Sequence, residues 1–123
     1  MAEHFTLKIG GTPKSLNRVA KAKHWAVFQR EKKTWEGNIF IALLEAKVPK
    51  PLASVYAEAS LQFKTARRRD EGNYRSVLEK ALGDALQLQW LDDDTPDQFR
   101  FGPLHFDDAP GNETLIFLKV ERA

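Results

Sequence analysis

Residues Glu113 to Arg122, ETLIFLKVER, are apolar on both sides of an extended chain. Successive side chains of a strand point to opposite faces. One face here carries Ile116, Leu118 and Val120, and the other carries Leu115 and Phe117 before ending at Lys119. A strand that is apolar on both faces belongs inside a sheet, with a neighbour on each edge. The segment therefore demands at least two partner strands from the rest of the chain.

Three other segments can supply them. His4 to Ile9 (HFTLKI) alternates, with Phe5, Leu7 and Ile9 on one face. Ser54 to Thr65 (SVYAEASLQFKT) alternates through Val55, Ala57, Ala59, Leu61 and Phe63. Gln98 to Phe106 (QFRFGPLHF) reads as a strand interrupted at Gly102-Pro103, because proline has no N–H for a ladder. Between these lie two segments of helical period. From His24 to Lys47 the spacing of Trp25, Phe28, Trp35, Ile39, Leu43 and Ala46 fits an apolar helix face. Gly37 is a possible break, since glycine costs about 1 kcal/mol relative to alanine in a helix interior. VPKP stops this helix. A second helix begins at Gly72 or Asn73 and runs to about Gln87, burying Tyr74, Val77, Leu78, Ala81, Leu82, Ala85 and Leu86. The order β-α-β-α-β-β predicts a single small α/β (α+β) domain over residues 1–123, a mixed sheet with helices packed on it.

Composition narrows the function classes. The chain has no cysteine, which excludes disulfides and thiolate metal sites. It shows no secretory signal and no apolar run near the roughly 20 residues of a membrane helix. A cytoplasmic protein without membrane association is the expectation. The net charge of +2 conceals an asymmetry. Residues 1–69 hold 14 Lys/Arg against 5 Asp/Glu, a balance of +9, and residues 70–123 hold 5 against 12, a balance of −7. A basic half suits a polyanionic partner, and an acidic half can bind cations; mutual neutralisation within the fold is the plainer alternative.

The two halves meet in ARRRDEGNYR, where Arg67, Arg68 and Arg69 run into Asp70 and Glu71. Arginine binds phosphate oxygens through paired hydrogen bonds, and a carboxylate beside it can hold a metal ion. A salt-bridged turn would look the same in sequence. On the second helix, about 100° per residue aligns Ser76, Lys80 and Asp84 in one row and Arg75 with Glu79 in another. The next loop carries Asp92, Asp93 and Asp94. Adjacent carboxylates repel, and Mg²⁺ would relieve that repulsion; a solvated turn is again the alternative. The helix spans roughly 22 Å, so this loop reaches Asp70 only if it folds back along the helix. Lys14, Arg18, Lys21, Lys23 and His24 form a further basic stretch, either a nucleic-acid arm or an ordinary loop. His4, His24 and His105 have no metal-ligand spacing, and no phosphate-cradling glycine loop or nucleophile elbow occurs.

Four motifs in order, PKSLNR (Pro13 to Arg18), RRRDEGN (Arg67 to Asn73), KALGDAL (Lys80 to Leu86) and WLDDD (Trp90 to Asp94), resemble those of the RusA family of Holliday-junction resolvases. The resemblance spans most of the chain. It implies a Mg²⁺-dependent (Mn²⁺ possible) endodeoxyribonuclease of DNA recombination and repair that works as a homodimer on four-way junctions. It implies catalytic roles for Asp70, Lys80 and Asp93. It implies metal ligation by Asp70 and Asp93, with Asp92, Glu71 and Glu79 as further candidates. Arg67, Arg68, Arg69, Lys14, Asn17, Arg18, Asn73 and Arg75 would contact the nucleic acid. Gly72 stands where the family carries its second aspartate, and the lysine lies about one helical turn further along than the family pattern places it. Glu71 or Glu79 would have to replace the missing carboxylate. The alternative is a branched-DNA-binding relative that has lost cleavage with that ligand.

Overall fold

The computed structural model describes residues 2–14, 24–64 and 71–123. Its elements follow the order β1 (Glu3–Gly10), α1 (His24–Glu45), β2 (Leu52–Phe63), α2 (Gly72–Gln89), β3 (Phe99–Asp108) and β4 (Glu113–Arg122). The four strands form one mixed sheet in the order β1-β4-β2-β3. β4 is thus interior, antiparallel to β1 on one side and to β2 on the other. β2 and β3 run parallel, and the crossover that parallel neighbours require is α2.

Both helices lie on one side of the sheet. On that side Ile116, Leu118 and Val120 of β4 are buried, together with Leu7, Ile9, Val55, Ala57, Ala59, Leu61, Phe99 and Leu104. The core is completed by Trp35, Ile39, Ala42 and Leu43 of α1 and by the expected face of α2 from Tyr74 to Leu86. Leu78, Leu82 and Leu86 have no accessible surface; truncating such a leucine to alanine costs about 2–5 kcal/mol. Trp90 closes the end of this layer. It is buried edge-on to Phe40 with ring centroids 5.7 Å apart, and its indole N–H donates to the Val48 carbonyl at 3.0 Å.

Two details depart from the sequence pattern. α1 continues through Gly37 without a break, because its i→i−4 ladder and the buried residues on both sides carry it. Trp25, which fits the apolar spacing, is 73% exposed; the buried face of α1 starts at the partly covered Val27 and Phe28. The interruption in β3 is where it was expected. The β2–β3 register shifts between Ala57 and Ala59, opposite Gly102-Pro103, so Phe101 pairs with Ala57 and Leu104 with Ala59. The Tyr56 ring lies against Gly102, where it leaves no room for a Cβ.

The other face of the sheet has no helix on it among the described residues. Tyr56, Phe117, Arg100, His105, Lys119 and Lys8 project from it with exposed side chains. Among the described residues, the apolar character of both faces of β4 therefore coexists with helices on one side of the sheet only. Among the described residues no helix is long and apolar enough to cross a membrane.

Candidate functional site

α2 runs antiparallel to β3, as side-chain contacts along it show. Tyr74 at its start packs on Phe63 and Phe106, with centroids 5.6 Å from each, Arg75 lies over the Phe101 ring, and Gly83 faces Phe99. The amino end of α2 is therefore set beside the carboxyl ends of the parallel pair β2 and β3. In open sheets, ligands bind outside the carboxyl ends of parallel strands.

Arg75 fixes this geometry. Its guanidinium donates to the Gly102 carbonyl at 2.8 Å and the Phe101 carbonyl at 2.5 Å, and stacks 5.0 Å above the Phe101 ring. It also meets Glu71 and Glu79, each at 3.1 Å. Residues 71, 75 and 79 are one turn apart, so one arginine bridges two carboxylates of its own helix face. The carbonyls that the arginine takes lie at the Gly102-Pro103 bulge, and among the described residues no strand neighbours β3 on that edge.

The second cluster centres on Lys80. Its ammonium lies 3.5 Å from Asp84 Oδ1 and 3.9 Å from Asp94 Oδ2. The other oxygen of Asp84 accepts from Lys32 of α1 at 2.8 Å. That hydrogen bond, more than the charges around it, holds the Lys32 ammonium's pKa above the ordinary lysine value. The loop after α2 does fold back along the helix. Trp90 and Leu91 are buried, and the chain then returns so that Asp94 Oδ2 sits 3.5 Å from where a Cβ on Gly83 would be. A Cβ at position 83 would meet that carboxylate at an ordinary contact distance.

Of the three aspartates, Asp94 is the one whose carboxylate reaches α2. Asp93 is exposed; its Oδ1 accepts the Asp94 N–H at 2.8 Å, and its own N–H donates to Gln98 Oε1 at 3.1 Å. Asp92 is exposed in the same loop. Asp93 thus serves to shape the turn that presents Asp94. Sequence reading places Asp93 at the family position and leaves Asp94 out of the site; which of three adjacent aspartates turns toward Lys80 has no local sequence signal.

A groove of about 400 Å³ joins the two clusters. Gly72, Arg75, Ser76, Glu79 and Lys80 form one wall, and Asp94, Pro96, Phe99 and Phe101 form the other. Glu79 and Asp94 thus share one groove with Lys80. Each of these two carboxylates already has a cation beside it, Arg75 at 3.1 Å from Glu79 and Lys80 at 3.9 Å from Asp94. Among the described residues no three carboxylates or histidines converge on one point. Glu71 lies at the far end of the helix face, nine residues or about 14 Å from Lys80.

The remaining candidates are placed as follows. Lys14 is exposed, and its backbone N–H donates to Glu31 Oε1 of α1 at 3.3 Å. Asn73 lies in the first turn of α2. Arg67, Arg68, Arg69, Asp70, Asn17 and Arg18 lie outside the described residues. No protein-family model and no curated protein matches the chain.

Proposed function

We propose that the chain is a Mg²⁺-dependent, structure-selective endonuclease that cuts branched DNA as a cytoplasmic homodimer, as its resemblance to RusA-type resolvases implies. The observation that supports this reading is the groove lined by Glu79 and Lys80 on one wall and by Asp94, 3.9 Å from Lys80, on the other. Gly72, which lines that groove, follows Arg67, Arg68, Arg69, Asp70 and Glu71 in the sequence. Three arginines a few residues before a helix that carries carboxylates and a lysine suit a phosphodiester held for hydrolysis.

The roles follow from chemistry. Glu79 and Asp94, with Asp70 from the preceding segment, are the groups that would hold Mg²⁺. When bound, the ion would lower the pKa of a water and offset charge on the phosphate. Lys80 offers an ammonium where charge develops on the scissile group. Arg67, Arg68 and Arg69 grip the backbone, and Lys14, Asn17, Arg18 and Asn73 extend that contact. Arg75 keeps α2 at its height on β3 and so sets the width of the groove.

One observation favours the non-cutting alternative. Gly72 lines the groove where the family has an aspartate, and Arg75 already neutralises both Glu71 and Glu79. A four-way junction incubated with the purified chain and Mg²⁺ or Mn²⁺ separates the two. Cleavage that Asp70→Asn abolishes without loss of binding supports the enzyme. Tight junction binding with no cutting in either metal supports the alternative, and no binding to branched DNA even at low salt overturns both.

A further inference from the structure

β1 is a rim of the sheet, and one hydrogen bond fixes which way its backbone groups point. The Gly11 N–H donates to the Asn112 carbonyl at 3.0 Å, in step with the register that sets Gly10 against Glu113. Opposed residues of an antiparallel pair alternate between bonded and unbonded. Ile9, Leu7, Phe5 and Glu3 therefore direct their backbone groups to β4, while Gly10, Lys8, Thr6 and His4 turn theirs to the open side. Among the described residues no strand pairs with that side. The strand has no proline, and its register runs without a shift. Successive rim residues stand about 6.7 Å apart, the repeat of a second extended chain.

Side chains alternate in the same way. Leu7 and Ile9 are buried on the helix side, and His4, Thr6 and Lys8 are exposed on the uncovered face. On the helix side a hollow of about 270 Å³ separates the end of β1 (Lys8 to Gly10) from Asn38, Ile41, Ala42 and Glu45 of α1. Ile41 is 57% exposed there, although the adjoining Ala42 is buried. A strand laid along β1 would set every second side chain toward this hollow, where an apolar one covers Ile41. Its other side chains would lie beside His4, Thr6 and Lys8, with Lys119 across from His4. Lys8 Nζ has Glu113 Oε2 at 4.0 Å, the outer limit of an ion pair, and its side chain is 71% exposed. The rim residues His4, Thr6, Lys8 and Gly10 include no acid. A second β1 laid against the first would bring Lys8 no carboxylate; a strand with acidic residues at those positions would.

We infer that the β1 rim takes an extended segment of a partner protein as a fifth strand. The segment alternates apolar side chains toward α1 with acidic ones toward Lys8. In this mode of recognition the main-chain hydrogen bonds give affinity and the alternate side chains give specificity. The inference stands apart from the nuclease reading, because the α2–β3 groove lies at the opposite edge of the sheet.

A capped peptide of about eight residues, alternating valine with glutamate, is long enough to span the rim. Added to the full chain, it should slow amide hydrogen exchange at Thr6, Lys8 and Gly10 about tenfold or more. Leu7 and Ile9, already protected by β4, should change far less. Thr6→Pro removes an N–H from the rim and none from the β4 ladder, so it should weaken the peptide about tenfold while the chain stays folded by circular dichroism. Ile41→Asp, on the exposed surface of α1, should weaken it without touching β1. A peptide alternating valine with lysine should bind about threefold more weakly or worse, and Lys8→Glu should reverse that order. Rim amides unmoved at millimolar peptide, binding indifferent to Thr6→Pro and Ile41→Asp, or equal affinity for the two peptides would overturn the inference. So would rim amides already protected in the free chain: at every concentration, the chain covers its own rim; increasingly with concentration, a second copy does.

Discussion

The carboxylate of Asp94 reaches back to within 3.9 Å of the Lys80 ammonium, so the loop after α2 shares a site with the middle of that helix. Single substitutions of the three aspartates should therefore differ. Asp94→Asn should abolish junction cleavage with binding unchanged, while Asp92→Asn leaves both intact. Asp93→Asn should reduce cleavage only as far as it loosens the turn. Gel assays of cutting and binding read all three, and the opposite ranking of Asp93 and Asp94 would return the role to Asp93.

Lys80→Met should lower the single-turnover cleavage rate about 10²–10³-fold, the usual effect of losing one donor to developing charge. Junction affinity at fixed salt should hardly move. If affinity falls and the rate of bound substrate does not, Lys80 is a phosphate grip and no more.

Arg75→Lys should loosen the amino end of α2. Lysine cannot reach two carbonyls and two carboxylates at once, nor stack on Phe101 as a plane. A loss of about 1–3 kcal/mol in urea unfolding is expected, the scale of hydrogen bonds to a charged group. Hydrogen exchange should speed up first in the opening turns of α2. An unchanged midpoint would mean that packing of Tyr74 alone holds the helix there.

Lys32 and Asp84 tie α1 to α2, and the tie has a pH signature. The folded-state pKa of Lys32 is raised, so its contribution is fully present below the ordinary lysine value of 10.5 and is lost as pH rises through the higher folded value. Melting curves between neutral and strongly alkaline pH should fall more steeply for the wild type than for Lys32→Met. Parallel curves would show that the pair adds nothing.

Gly37→Ala should stabilise the chain by about 0.5–1 kcal/mol. The glycine is exposed in mid-helix, and a Cβ there meets nothing within 4 Å. A lower melting temperature would mean that the bend freedom of glycine is used at that point.

The fold was legible in the sequence because its signals are periodic. The doubly apolar run around Phe117 announced an interior strand, and the face from Tyr74 to Leu86 announced α2 almost to its ends. The site was legible only by neighbourhood. Lys80 and Asp84 are one helical turn apart, so their pairing could be read; Lys32 joins them across 52 positions of chain, which no local pattern encodes. Arg75 looked like a surface cation because its acceptors are backbone carbonyls at Phe101 and Gly102, and carbonyls leave no mark in a sequence. Asp93 and Asp94 differ only in which way a turn directs them, and three identical letters hide that.

The bulge at Gly102-Pro103 has a consequence for how copies of the chain can meet. A sheet with free rims invites strand addition, which propagates without limit. On the β3 rim, Pro103 offers no N–H, and the neighbouring carbonyls of Phe101 and Gly102 are already taken by Arg75. An incoming strand would find no continuous ladder to join there. Growth into filaments from this rim is opposed by the same few atoms that anchor α2.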